Sequence, residues 1–192
     1  MTLTKADRTR RRILESAATV FAAQGYAGTS LRHVADGAGL QLGSLYFHFA
    51  SKDALLGEVV TDAVQFAEDR VRAALEARGS GATGRDRLSA AIRAHLQALH
   101  ERSERGAAVV RIVDLPRELA ATGARRHVRR YAQSWSALVE AAQRDAGLPA
   151  DADTVVVRNL ILGAMRATVG PRQLSPAQVD SVADTVIALV LR

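Results

Sequence analysis

Apolar residues recur three and four positions apart along most of the chain. That spacing places them on one face of an α-helix, and the alternation typical of strands is hard to find. The first stripe lies between about residues 8 and 24 and contains Ile13, Ala17 and Phe21. Gly25 follows it, and glycine commonly ends a helix. The pattern predicts an all-α protein of about nine helices.

Clusters of glycine, proline and polar residues separate the other predicted helices. We place these helices at about 31–37, 41–47, 52–78, 85–105, 107–115, 124–146, 152–169 and 176–191. Ser51 is a candidate N-cap for the fourth helix. The segment "RGSGATG" follows this helix and is a flexible connector. We predict two domains, 1–50 with three short helices and 51–192 with a larger helical body, and the fourth helix joins them.

Composition excludes several classes of protein. The 192 residues include no cysteine, so disulfides, thiolate nucleophiles and cysteine-ligated zinc are ruled out. The polar start does not lead into the apolar core of a signal peptide, and no apolar stretch is long enough for a membrane span. We therefore expect a cytoplasmic protein. The net charge of +6 favours an anionic partner, either nucleic acid or a membrane surface, unless it is only a solvated basic surface.

The stretch 31–49, "LRHVADGAGLQLGSLYFHF", contains two short predicted helices on either side of a glycine-bearing turn. This arrangement predicts a helix-turn-helix, whose second helix enters the major groove of DNA. Val34 and Ala35 face inward, and Gly39 permits a positive φ in the turn. Apolar anchors seat the second helix, namely Leu40 and Leu45. The positions left to project outward are Gln41, Leu42, Ser44, Phe47 and His48.

The segment from about Arg10 to Val60 resembles the DNA-binding domain of the TetR family of transcriptional regulators. The first helix ends in phenylalanine shortly before "QGY", and "VADGAG" precedes the turn. "GSLY" lies on the recognition helix, and "FASKDALL" begins the fourth helix. Many spaced features agree over the first quarter to third of the chain, which makes the resemblance specific. The chain departs from the common family pattern at Leu42, where many members carry a polar residue, and at Phe47-His48.

The resemblance implies phosphate contacts by residues at the starts of two helices and on the recognition helix: Thr29 or Ser30, Lys52 and Tyr46. Free N–H groups at a helix start and the charge of a lysine both suit an anion. The polar candidates for reading base edges are Gln41, Ser44 and His48. Arg32 is a candidate for a groove or phosphate contact, and Gly43 belongs to the same recognition-helix surface.

Three positions keep two interpretations each. Leu42 either touches a thymine methyl group or covers neighbouring apolar surface. Phe47 either contacts DNA or joins the core, whereas we expect Phe49 to be buried against the fourth helix. The arginine-rich segment 8–12 either contacts the DNA backbone or minor groove, or is a disordered basic tail.

The second half of the chain carries no motif of comparable strength. The resemblance implies that it binds an effector and forms a homodimer through the last two helices. Both helices, in "TVVVRNLILGAMRATV" and "VDSVADTVIALVL", are apolar on more than one face, which suggests a second partner surface. The alternative is that both are central helices of a monomer.

An apolar cavity with a few polar groups is the usual form of a ligand site. The candidate effector-binding residues are Phe66, Leu96, Ile112, Tyr131, Trp135, Asn159 and Met165, for which ordinary core packing is the alternative. Three arginines interrupt apolar runs, and burial of any one would favour an anionic ligand: Arg111, Arg158 and Arg166.

These features predict a ligand-responsive repressor that a small molecule releases from a palindromic operator. An enzyme is one alternative, but the five histidines form no metal motif and no nucleophile or phosphate-binding motif is found. A helical adaptor that binds only protein is another alternative. We predict no cofactor and no metal.

Overall fold

The computed structural model describes residues 4–101, 122–145, 147–169 and 174–191. Within those ranges the chain forms helices and no strand, so the all-α prediction is confirmed. The eight helices are α1 Lys5–Gly28, α2 Leu31–Gly37, α3 Leu42–His48, α4 Lys52–Glu76, α5 Gly84–Leu99, α6 Arg125–Arg144, α7 Thr154–Ala167 and α8 Pro176–Val190. The predicted helix 107–115 lies outside the described residues, as do Arg111 and Ile112.

The described residues divide into two compact units. The first contains residues 4–64 and 122–127, and the second contains residues 65–101 and the described residues from 128 onward. Both α4 and α6 therefore contribute residues to each unit. No described helix is both long and apolar enough to cross a membrane.

The first helix begins earlier than the sequence pattern predicts, at Lys5 rather than Arg8. Thr4 caps it, because the Thr4 hydroxyl accepts from the Asp7 N–H and the Asp7 side chain accepts from the Thr4 N–H. The arginines of 8–12 are therefore helical, and the disordered-tail interpretation is wrong for them. Gly25, with a φ of 69°, interrupts the helix near its end, where the sequence predicted a stop.

The core of the first unit forms where α1, α2 and α3 meet. Its buried side chains include Ile13, Ala17, Phe21, Val34, Leu45 and Phe49. Gly39, with a φ of 62°, makes the turn between α2 and α3, as predicted. The side chain of Arg12 donates to the Ala38 carbonyl at 2.5 Å, and the Ser16 hydroxyl donates to the Val34 carbonyl at 2.8 Å. These bonds hold the turn against α1.

In the second unit, α5 packs against α7 and α8. Thr83 and Asp86 form a capping box at the start of α5. Gly84 is buried, and a Cβ atom there would lie 2.3 Å from the Ala141 backbone, so only glycine fits. The core includes Leu88, Ile92, Leu96, Trp135, Val139 and Met165.

Candidate nucleic-acid interface and effector site

Helix α3 has one buried face and one exposed face. Leu45 and Phe49 are buried in the first unit, whereas Tyr46 is 53% exposed and Phe47 is 84% exposed. The predicted burial of Leu45 and Phe49 is therefore confirmed, whereas Leu40, the other predicted anchor, is only half-buried. The core alternative for Phe47 is wrong.

The predicted polar candidates share the outer side of α3 or its start. Gln41 precedes α3 as its N-cap residue, and Gly43 and Ser44 follow in its first turn; all three are exposed. Leu42 and His48 are only half-buried. The His48 ring lies edge-on to the Phe47 ring, with centroids 5.3 Å apart.

Thr29 and Ser30, the two alternative candidates for a phosphate contact at the start of α2, differ in burial. Ser30 is exposed, and its hydroxyl caps α2 by accepting from the His33 N–H at 3.2 Å. Thr29 is 2% exposed, and its hydroxyl donates to the Gly25 carbonyl at 2.7 Å. The burial of Thr29 conflicts with a phosphate contact by its side chain, because that hydroxyl completes the end of α1. Arg32 is exposed beside Ser30.

Lys52 is half-buried and makes contacts inside the first unit. Its Nζ donates to the carbonyls of Tyr26 and Thr29, both at 2.9 Å, and lies 4.2 Å from the centre of the Tyr26 ring. The Tyr26 hydroxyl donates to the Asp53 carboxylate. Ser51 caps α4, as predicted, by accepting from the Ala54 N–H at 3.0 Å. Lys52 thus joins the start of α4 to the end of α1, which the sequence did not reveal.

The basic residues at the start of α1 also make contacts within the first unit. Arg10 pairs with Glu58 at 3.1 Å and lies over the Phe49 ring at 5.0 Å. Arg11 pairs with Glu15 at 3.1 Å. These contacts fix the positions of the two guanidinium groups along α1. The contact with Arg10 also stabilises Phe49 at the buried end of α3.

In the second unit, three aromatic side chains form a buried cluster of His95 on α5 with Tyr131 and Trp135 on α6. His95 Nδ1 and the Tyr131 hydroxyl are 2.8 Å apart. The ring centroids are 5.4 Å apart for His95 and Trp135 and 6.2 Å apart for Tyr131 and Trp135. Sequence reasoning singled out Tyr131 and Trp135 but missed His95, whose partner lies 36 positions away.

Burial keeps this cluster uncharged. It lowers the pKa of His95 to about 4 and raises the pKa of Tyr131 far above its usual value. The nearby Trp135 N–H offsets part of the shift at Tyr131, and the Glu68 carboxylate adds to it. At neutral pH the imidazole therefore has one donor and one acceptor nitrogen, and the phenol keeps its proton.

The other predicted effector residues differ in burial. Leu96 and Met165 are buried, Phe66 is half-buried with the Arg70 guanidinium 5.3 Å from its ring, and Asn159 is exposed. Ile112 lies outside the described residues. Arg158 is half-buried and donates to the Ser136 hydroxyl at 3.0 Å and to Asn159, whereas Arg166 is exposed. Neither arginine is fully buried. The hypothesis of an anionic ligand required a buried arginine, so these two residues do not support it.

Helices α7 and α8 expose apolar side chains, as the two-faced pattern predicted. Leu160 is 67% exposed and Leu189 is 79% exposed, and Val155 and Val156 are also exposed. Such residues are rarely grouped on an uncovered surface of a monomer.

A helix-turn-helix unit with an exposed recognition helix, attached to a separate helical unit, defines a class of DNA-binding protein. No group of three metal-ligating side chains lies close together among the described residues. The model of bacterial regulatory proteins of the tetR family matches residues 13–59. A second model, the tetracyclin repressor-like C-terminal domain, matches residues 81–170.

Individual relatives agree with both matches. The transcriptional repressor KstR2 of Rhodococcus jostii is 28% identical over 189 residues, which cover 95% of this chain and 89% of that protein. The solved structure of the ketosteroid regulator KstR2 of Mycobacterium tuberculosis has a TM-score of 0.75 at 24% identity and covers 95% of each chain. AibR, solved with isovaleryl coenzyme A and operator DNA, shares the fold with a TM-score of 0.73 at 22% identity, covering 95% of this chain and 98% of that one.

The chain belongs to the TetR family, as the motifs at its start predicted. Its function is that of a DNA-binding transcriptional regulator.

Proposed function

We propose that the protein binds a palindromic operator as a homodimer in the cytoplasm and that a small-molecule effector releases it. The observation that carries this proposal is the division of α3 into two faces, with Leu45 and Phe49 buried and Tyr46 and Phe47 exposed. A short helix that is anchored on one side can place its other side in a major groove.

The exposed side chains of α3 suit direct readout of bases. The Gln41 amide can pair with the adenine edge, and the Ser44 hydroxyl can donate to or accept from several bases. Phe47, the most exposed apolar residue of this surface, suits the methyl group of thymine, and Leu42 can extend that contact. His48 is held edge-on beside Phe47 and would read the neighbouring position.

Phosphate contacts would flank this surface. The Tyr46 hydroxyl is exposed on α3, and Ser30 and Arg32 lie at the N-terminus of α2, where unpaired N–H groups favour an anion. The Lys52 ammonium has three donors, and two already bond to carbonyls. The third can therefore reach a phosphate while the other two hold α4 in place.

Dimerisation would cover the exposed apolar residues of α7 and α8. Leu160, Val156 and Leu189 would pack against the same helices of a second copy, and two copies would form a four-helix bundle. Two-fold symmetry would then match a palindrome whose half-sites lie about 34–36 Å apart.

Effector binding would act by a population shift between two states that differ in the separation of the recognition helices. The operator would select one state and the effector the other, and the difference in effector affinity would set how far DNA binding falls. Helix α4 is the candidate lever, because it contributes residues to both units. The relatives suggest which effectors to try first, a ketosteroid and an acyl thioester.

The test starts with selection of binding sites from random duplex DNA, followed by a search for compounds that raise the melting temperature of the protein. We expect a palindromic consensus sequence, and we expect a saturating ligand to weaken operator binding at least about tenfold. Binding that does not depend on salt, or operator affinity that stays unchanged with saturating ligand, would contradict the proposal.

A further inference from the structure

The buried cluster of His95, Tyr131 and Trp135 contains an indole N–H that lies near the Tyr131 hydroxyl but has no well-formed hydrogen bond. The bond between His95 Nδ1 and the Tyr131 hydroxyl uses one donor and one acceptor. Trp135 is 0% exposed, and its Nε1–H makes no hydrogen bond of normal geometry. Buried polar groups in native proteins nearly always have a partner, so this N–H calls for an acceptor.

The surroundings of Trp135 Nε1 restrict the chemistry of that acceptor. The rings of His95 and Tyr131 meet the indole edge-on, and both side chains are uncharged at neutral pH. A carboxylate placed there would lose its hydration without gaining a cation. An uncharged oxygen loses much less on entering this site.

The side chains that neighbour the cluster are apolar. The His95 and Trp135 rings meet edge-on, as do the Tyr131 and Trp135 rings. The neighbouring core positions on the same helices, Leu96 and Val139, are buried aliphatic residues. A ring or alkyl skeleton can pack against such surfaces without polar cost.

We propose that the cluster of His95, Tyr131 and Trp135 is the polar recognition point of the effector site, and that it selects an uncharged apolar molecule with a carbonyl oxygen. The oxygen accepts a hydrogen bond from Trp135 Nε1, and the bond between His95 and Tyr131 fixes the Tyr131 ring beside the indole. This inference rests on the proposed function, because it takes the second unit to be the effector-binding unit.

The test compares three ligands of one skeleton: 2-decalone, its parent hydrocarbon decalin, and decalin-2-carboxylate. Trp135 is the only tryptophan of the chain, so its fluorescence reports on the site directly. Calorimetry gives the affinities. We expect 2-decalone to bind about tenfold more tightly than decalin, a typical effect of one hydrogen bond to a buried donor. We expect the carboxylate to bind most weakly and the ketone to change the emission of Trp135.

The matched protein variant replaces Trp135 with 3-benzothienylalanine, which keeps the shape of the indole but has sulfur in place of the N–H. Its melting temperature checks that the variant is folded. In this variant 2-decalone should bind no more tightly than decalin. Equal affinities for ketone and hydrocarbon in the unchanged protein would overturn the inference, and so would tighter binding of the carboxylate or failure of all three to bind.

Failure of the inference and failure of the proposed function give different results. If the protein binds no selected duplex DNA, the proposed function fails. If it binds operator DNA and a ligand releases it without changing Trp135 fluorescence, the proposed function stands and only this inference fails.

Discussion

At the scale of single residues, Lys52 shows how a side chain of the DNA-binding motif can also hold the fold together. Its ammonium group bonds to two carbonyls at the end of α1 and lies over the ring of Tyr26. The C-terminal end of a helix carries partial negative charge, so a cation there is stabilising. Lys52 therefore helps to fix the position of α4, in addition to the DNA contact proposed for it.

Replacement of Lys52 should weaken the fold as well as DNA binding. We expect Lys52→Gln to lower the free energy of unfolding by about 1–2 kcal/mol, because two carbonyls lose a charged donor. Urea denaturation followed by circular dichroism measures the change. The control Lys5→Gln, at an exposed position, should stay within about 0.5 kcal/mol of the unchanged protein. Equal losses in the two variants would argue against the structural role of Lys52.

Buried His95 should make the stability of the protein depend on acid. Its pKa is lowered from 6.5 to about 4 in the fold, so below pH 6.5 the unfolded chain takes up a proton that the folded chain does not. The free energy of unfolding should therefore fall between pH 6.5 and 4, by roughly 2–3 kcal/mol. His100, whose pKa burial also lowers, changes stability in the same direction.

Denaturation at a series of pH values checks this expectation. His95→Gln should flatten the profile in that window, whatever it does to overall stability, whereas the exposed His33→Gln should leave the profile unchanged. The cap residues Asp7 and Asp86, whose pKa values are lowered from 3.8 by their bonds to Thr4 and Thr83, lose their contribution only at lower pH. A profile of His95→Gln as steep as that of the unchanged protein would be evidence against a neutral His95.

At the scale of helices, local signals in the sequence predicted most of the fold. The cap at Ser51, the break at Gly25 and the turn at Gly39 depend on residues near one another in the chain, so each could be recognised from the pattern. The outward direction of Gln41 and Ser44 followed from helical spacing.

Contacts between distant residues could not be predicted in this way. The bonds of Lys52 cross 26 and 23 positions of the chain, and that of His95 to Tyr131 crosses 36. Thr29 could serve as a surface residue by its sequence alone, but its hydroxyl turns back to complete α1. The spacing of apolar residues identifies the buried face of a helix. It does not identify which distant side chain packs against that face.

The turn between α2 and α3 should require glycine at position 39. With a φ of 62°, alanine there would be strained, and its Cβ would lie 3.2 Å from the Arg12 side chain that holds the turn. We expect Gly39→Ala to cost about 1–2 kcal/mol of stability and to weaken operator binding, because α3 would tilt. Denaturation and a DNA-binding titration measure both effects.

Gly43→Ala is the matched control within α3, because nothing lies within 4 Å of its added Cβ and its φ is not positive. Helix propensity predicts equal or higher stability for this variant, by up to about 1 kcal/mol. If Gly43→Ala weakens DNA binding without losing stability, the α3 backbone approaches the DNA closely. Equal destabilisation by both substitutions would contradict the importance of the turn.

At the scale of the whole molecule, the proposed dimer depends on the apolar surface of α7 and α8. We expect Leu160→Glu to raise the dimer dissociation constant at least about tenfold, because a charge would be buried in the interface. Sedimentation velocity measures the dissociation constant. Gln133→Glu, at an exposed position on α6, should leave the dimer intact. A Leu160→Glu protein that remains as fully dimeric as the control would show that this surface is not the interface.

The exposed face of α3 is proposed to read DNA sequence, and the ratio of two dissociation constants tests this role. Fluorescence anisotropy at fixed salt gives the dissociation constants for the selected operator and for a scrambled duplex. We expect Gln41→Ala to lower the ratio of scrambled to operator dissociation constants by about tenfold, whereas Tyr46→Phe should weaken binding to both duplexes alike. If Gln41→Ala weakens both duplexes equally and leaves the ratio unchanged, α3 does not read the operator as proposed.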